Sequence, residues 1–130
     1  MAFSPAETRH AIENLLGRYA ECADARDARG VAELLGKARV SFAGTVLDTD
    51  EQIFGYYQSL FAAAPVSRHL LSNIIVDPDI DGGSARCRYS RWAIESDARL
   101  LAMGEYRASF RVEDDTWEFT AFEVSRAWQA

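Results

Sequence analysis

The stretch after Pro65 constrains the fold most. Apolar and polar residues alternate through 68–76, 84–95, 99–112 and 116–127, and turn-forming clusters separate these runs. Period-two alternation sends successive side chains to opposite faces, so each run reads as a half-buried strand. "DPDIDGGS", "ESDA" and "VEDDT" supply the turns between them. Long strands joined by short turns pair antiparallel, which predicts a strongly twisted antiparallel meander.

The residues before Pro65 read differently. Ser4-Pro5-Ala6-Glu7 is a helix start, with Ser4 as cap, Pro5 at the first helical position and Glu7 closing a capping box. Ile12, Leu15, Leu16, Tyr19 and Ala23 then recur at helical spacing, which predicts a helix over 5–25. Asp27 caps a second short helix carrying Val31, Leu34 and Leu35, with Gly36 as its terminator. "ARVSFAGTVLD" suggests a hairpin turning near Ala43-Gly44. A third helix follows, from a Thr49/Gln52 capping box to Pro65, burying Ile53, Tyr56, Tyr57, Leu60 and Phe61. The expected class is α+β: a curved antiparallel sheet packed on N-terminal helices, enclosing a pocket.

With 130 residues, 48% hydrophobic and 26% charged, residues 1–130 suit one soluble globular domain. A net charge of -6 argues against nucleic-acid or anionic-membrane partners. Cys22 and Cys87 lack metal-ligand spacing and are expected to be free thiols in a reducing compartment. No apolar run approaches a membrane span or a signal sequence, so a cytoplasmic location is expected. His10 and His69 lie on different elements, and "DGG" at 81–83 reads as a turn rather than a phosphate loop. Neither a metal nor a cofactor is therefore expected. Trp92, Trp117 and Trp128 read as core or interface residues, because no basic surface accompanies them.

The chemistry-bearing stretch is "SRHLLSNIIVD", where His69 shares a strand face with Leu71, Asn73 and Ile75. On the residues alone His69 is either a satisfied structural histidine at a strand edge or a general base near neutral pH. Asp24, near the end of the first helix, lies on the flank of the Tyr19 face; it is either solvated or turned into a pocket rim. If the two meet, the carboxylate fixes the imidazole tautomer and supports the imidazolium formed on proton abstraction. Tyr19 could then polarise a substrate oxygen, and Arg126, grouped by phase with Phe122, Val124 and Trp128, could hold one as charge develops. Asn73, Tyr57, Tyr106, Phe110 and Phe122 complete the expected substrate-binding lining. Arg88 and Arg91 belong to opposite faces of one strand, so one of them should face solvent.

"LLGRYAECADARD", "SRHLLSNIIVD" and "GEYRASFRVEDDTWEF" together resemble the SnoaL-like branch of the NTF2-like superfamily, over nearly the whole chain. That resemblance implies a cone-shaped, cystatin-like α+β barrel. Members related to scytalone dehydratase, bile-acid dehydratase and hexachlorocyclohexane dehydrochlorinase pair a first-helix aspartate with a strand histidine, roles that fall here on Asp24 and His69. Tyr19 matches the tyrosine five residues before the aspartate in the bile-acid dehydratase. It replaces the lysine of the dehydrochlorinase, which argues against dehalogenation. A late-strand arginine corresponds to Arg126. "CRYSRWAIE" holds neither the second histidine of scytalone dehydratase nor the aspartate of the bile-acid enzyme. The implied function is a cofactor-independent lyase or isomerase for a hydrophobic cyclic, polyketide- or steroid-like molecule. The alternatives are a ligand-binding or dimerisation module, or a small subunit of a ring-hydroxylating oxygenase. A homodimer or higher homo-oligomer is expected in each case.

Overall fold

The computed structural model describes residues 3–130. Its elements run α1 (Pro5–Asp24), α2 (Ala28–Leu35), β1 (Arg39–Phe42), β2 (Thr45–Leu47), α3 (Asp50–Ala63), β3 (Ser67–Asp79), β4 (Gly82–Ile94), β5 (Ala98–Glu113) and β6 (Thr116–Gln129). Local chemistry accounts for the boundaries. The Ser4 hydroxyl accepts from the Glu7 N–H at 3.1 Å, and the Glu7 carboxylate accepts from the Ser4 N–H at 2.9 Å. Asp27 caps α2 by accepting from the Gly30 N–H. Thr49 caps α3 through the Gln52 N–H, whereas the Gln52 side chain reaches one residue further back, to the Asp48 N–H. The β1–β2 hairpin turns on Ala43 and Gly44, both at positive φ, the geometry of a two-residue primed turn.

The six strands form one sheet in the order β2-β1-β6-β5-β4-β3. The strands β3 to β6 are the expected antiparallel meander, but β1 lies parallel to β6, so the sheet is mixed. The expected cone-shaped, curled barrel is not formed. The edge strands β2 and β3 are not paired with each other, and with β1 and β2 only four and three residues long the sheet stays open. Helix α1 packs against β3, and α2 and α3 pack together, so helices close the side of the pocket that barrel strands would have closed.

Strand β3 runs through Pro78 to Asp79, beyond the expected end at Val76. Proline is tolerated there because β3 is an edge strand and an N–H on its free side has no ladder partner. The core is a single cluster drawn from α1, α2, α3 and the inner sheet face, with Ile12, Leu16, Val31, Val40, Ile53 and Phe122 among its most buried members. No helix of the described residues is long and apolar enough to cross a membrane.

Candidate active site

Asp24 closes the last turn of α1, and His69 stands three residues into β3. The pair lies 45 residues apart in sequence, and His69 Nδ1 sits 2.8 Å from Asp24 Oδ1. The same oxygen accepts the backbone N–H of His69 at 2.9 Å. An edge strand leaves alternate N–H groups without a ladder partner, and Asp24 takes the one at His69. A carboxylate only accepts, so Nδ1 carries the proton and donates. The neutral ring then keeps its lone pair on Nε2, which makes no hydrogen bond to protein among the described residues. Burial pushes the His69 imidazole below its usual pKa of 6.5; Asp24 opposes this and the Arg91 charge adds to it. Both side chains are largely shielded, at 12% and 17% exposure.

His69 lines a cavity of about 50 Å³ between the sheet and the helices. Its walls are aromatic. Tyr89 stacks on Tyr106 with centroids 4.7 Å apart, and the His69 ring stands 6.2 Å from Tyr89. Tyr19 and Tyr57 both line the cavity, and their hydroxyls share a 2.7 Å hydrogen bond. Burial holds both phenols far above their usual range, so each stays protonated. Of the two O–H groups, one is used between the rings and one remains to donate. Gly104 makes the wall possible: a Cβ there would collide with the Ser125 carbonyl and the Tyr89 ring.

The structure brings together His69, Asp24, Tyr19, Tyr57, Tyr106 and Arg126. Asn73, Phe110 and Phe122 stand elsewhere. Asn73 adopts φ 54° at a bulge between Ser72 and Ile75, which reverses the phase of β3. Ile74 and Val76 therefore turn inward, while Asn73 and Ile75 face out beside Arg88 and Glu105. Phe110 packs on Phe119, deeper in the core. Phe122 lies behind the lining, against Tyr19 and Tyr106. A second bulge, at Ala127, separates Arg126 from Trp128: Arg126 pairs with Gly104 on the pocket side, and Trp128 pairs with Met103 on the outer face.

Two pocket arginines, Arg91 and Arg26, lie outside the site the sequence alone points to. Arg91 follows Cys87 and Tyr89 at period two, and that spacing could have identified it as the inward arginine. Arg26 follows the end of α1 at φ 58° and donates to the Phe61 and Ala64 carbonyls at the end of α3. No local pattern marks that reach. Cys22 and Cys87 are both free thiols, and Cys87 is buried with its pKa pushed up to about 11.

A family model for the SnoaL-like domain matches residues 4–123. The chain belongs to the SnoaL-like domain family. Among solved structures, this SnoaL-like protein is similar to a proposed aromatic ring hydroxylase from Novosphingobium aromaticivorans, at 23% identity and a TM-score of 0.83, over 97% of this chain and 93% of that one. It is similar to a proposed dehydratase of the NTF2-like family from Streptomyces avermitilis, at 14% identity and a TM-score of 0.80, over 96% and 99%. It is also similar to the beta subunit of a proposed aromatic-ring-hydroxylating dioxygenase from Novosphingobium aromaticivorans, at 16% identity and a TM-score of 0.77, over 94% and 90%. At these identities the likeness establishes a shared NTF2-like, cystatin-like fold. No curated protein matches the chain.

Proposed function

We propose that this SnoaL-like protein is a cofactor-independent lyase or isomerase with His69 as its general base. The supporting observation is the 2.8 Å Nδ1–Asp24 contact, which leaves a basic Nε2 on a ring that lines an aromatic cavity. Nε2 takes a proton from a carbon beside a carbonyl. The C–H electron pair becomes a new double bond, and a β-hydroxyl leaves as water with the proton returned by the imidazolium. Isomerisation differs only in that the proton returns to another carbon. Asp24 supports the transient imidazolium, and the Tyr19–Tyr57 hydroxyl pair donates to the oxygen on which charge develops. Arg126 stabilises that charge from the rim.

An engineered cavity that holds benzene is about 150 Å³, so about 50 Å³ admits only the reacting edge of a cyclic substrate unless side chains move. Among the large apolar lining groups, Leu60 and Phe61 in the last turn of α3 are only partly buried, and they are the ones placed to yield. An oxygenase-subunit role would leave the shielded His69–Asp24 pair without a task, so the enzyme reading is preferred.

The test is a turnover screen of cyclic β-hydroxy ketones and unsaturated acyl compounds, run on wild type and His69→Ala in parallel. Turnover confined to the wild type is the expected result. Turnover that persists in His69→Ala removes the histidine from the reaction.

A further inference from the structure

Three arginines line this one cavity: Arg26 from the turn after α1, Arg91 from β4 and Arg126 from β6. Among the described residues no aspartate or glutamate lines it with them; Asp24 stands behind His69, hydrogen-bonded to its Nδ1. The hydrogen-bond partners of the three arginines are neutral. Arg91 Nε donates to the Ser67 hydroxyl at 3.1 Å, Arg126 to the Gln129 side-chain carbonyl at 3.0 Å, and Arg26 to two backbone carbonyls. Elsewhere among the described residues, Arg18, Arg39, Arg68, Arg88 and Arg99 stand apart from any carboxylate, scattered over the molecule, while Arg9, Arg29, Arg86, Arg107 and Arg111 each lie within 4.0 Å of one. Among the described residues, none of the three pocket arginines does so.

This arrangement runs against the chain's overall charge. With 20 acidic residues against 14 basic ones, partners for three arginines are plentiful. Gathering like charges beside a shielded aromatic cavity is unfavourable unless something negative joins them. The cost is visible at Arg91, whose guanidinium is pulled below its usual range by burial and then by the charges of Arg126 and Arg26. Each guanidinium has five N–H donors and uses only some of them on its neutral partners. The remaining forks suit a planar, doubly accepting anion.

We infer that the pocket takes a cyclic hydrophobic molecule bearing a carboxylate, with its ring edge among the tyrosines and the carboxylate held by Arg26, Arg91 and Arg126. This rests on the cavity being the ligand site proposed above. It does not require turnover, so binding can be read independently of catalysis. The carboxylate would anchor the molecule at the arginine rim and leave a ring carbon for His69.

The experiment measures the affinity of matched acid and amide pairs by calorimetry: benzoate with benzamide, 2-naphthoate with 2-naphthamide, and cyclohexanecarboxylate with its amide. The proteins are wild type, Arg126→Gln, Arg91→Gln and His69→Gln. At least one carboxylate should bind about tenfold or more tightly than its amide. That preference should shrink in both arginine variants, fall as salt is raised on the wild type, and persist in His69→Gln. Because Arg126 is exposed and the salt series uses unaltered protein, a folding failure of Arg91→Gln leaves the proposal testable. If no carboxylate is preferred over its amide, or if the preference survives both arginine substitutions, the inference is overturned. A carboxylate preference in a protein that turns over nothing would uphold the inference and reject the enzyme reading alone.

Discussion

At His69 burial and the neighbouring carboxylate pull proton affinity in opposite directions, and burial wins. The folded imidazole therefore takes up its proton at lower pH than the unfolded one, near 6.5. The stability linked to this group is complete above 6.5 and is lost as pH falls through the lower, folded value. Thermal melts should show a downward slope across that acid window which His69→Gln flattens. The activity profile should show an acid limb centred below 6.5. Asp24→Asn removes the influence that raises the histidine's affinity, so the limb should move to still lower pH. The rate should drop by about 10²-fold or more, because the tautomer and the imidazolium lose their support. The hydroxyl pair gives a separate prediction. In Tyr57→Phe, Tyr19 keeps its hydroxyl but loses the partner that orients it. The expected loss is about tenfold in kcat with KM little changed, read from steady-state kinetics.

At the scale of elements, the helix boundaries were legible because their causes are local: Ser4 and Glu7, Asp27, and Thr49 each act within a few residues of themselves. The inner faces of the strands were legible only up to the first bulge. Period-two reading puts Asn73 beside His69 and Trp128 beside Arg126; Asn73 is itself part of a bulge, and Trp128 is displaced by the extra residue Ala127 before it. Nothing in the composition of "LSNII" announces that Asn73 will sit at positive φ, although asparagine tolerates it. The Asp24–His69 meeting was suggested by family resemblance rather than by spacing, since it depends on how α1 docks along the edge of β3. The open, mixed sheet was illegible for a similar reason: the direction of β1 beside β6 is set by the docking of a four-residue strand. Gly104 tests this level. Gly104→Ala would force the β6 backbone and the Tyr89 ring apart. It should cost about 1–3 kcal/mol in a denaturant melt and disturb the Tyr89–Tyr106 stack, which near-ultraviolet circular dichroism would register.

At the scale of the molecule, the two faces of the sheet have different tasks. The inner face carries the core and the cavity. On the outer face one register row brings Leu70, Ser90, Met103 and Trp128 side by side across β3 to β6, and three of these four are large, exposed apolar groups. That row is where the expected homodimer would bury surface. Sedimentation should show a dimer that Trp128→Glu converts to monomer; a wild-type monomer would contradict this. The inner face depends on α1 and β3 meeting across 45 residues of chain to hold one proton between Asp24 and His69. The most direct test uses the fact that the chain has only two histidines, His69 and the helix residue His10. Long-range nitrogen–proton NMR on imidazole-labelled protein at pH 7, with His69→Gln for assignment, reads which ring nitrogen bears hydrogen. The expected spectrum shows His69 neutral, protonated on Nδ1 and bare on Nε2, titrating below 6.5. A His69 protonated on Nε2, or charged at pH 7, would contradict the account.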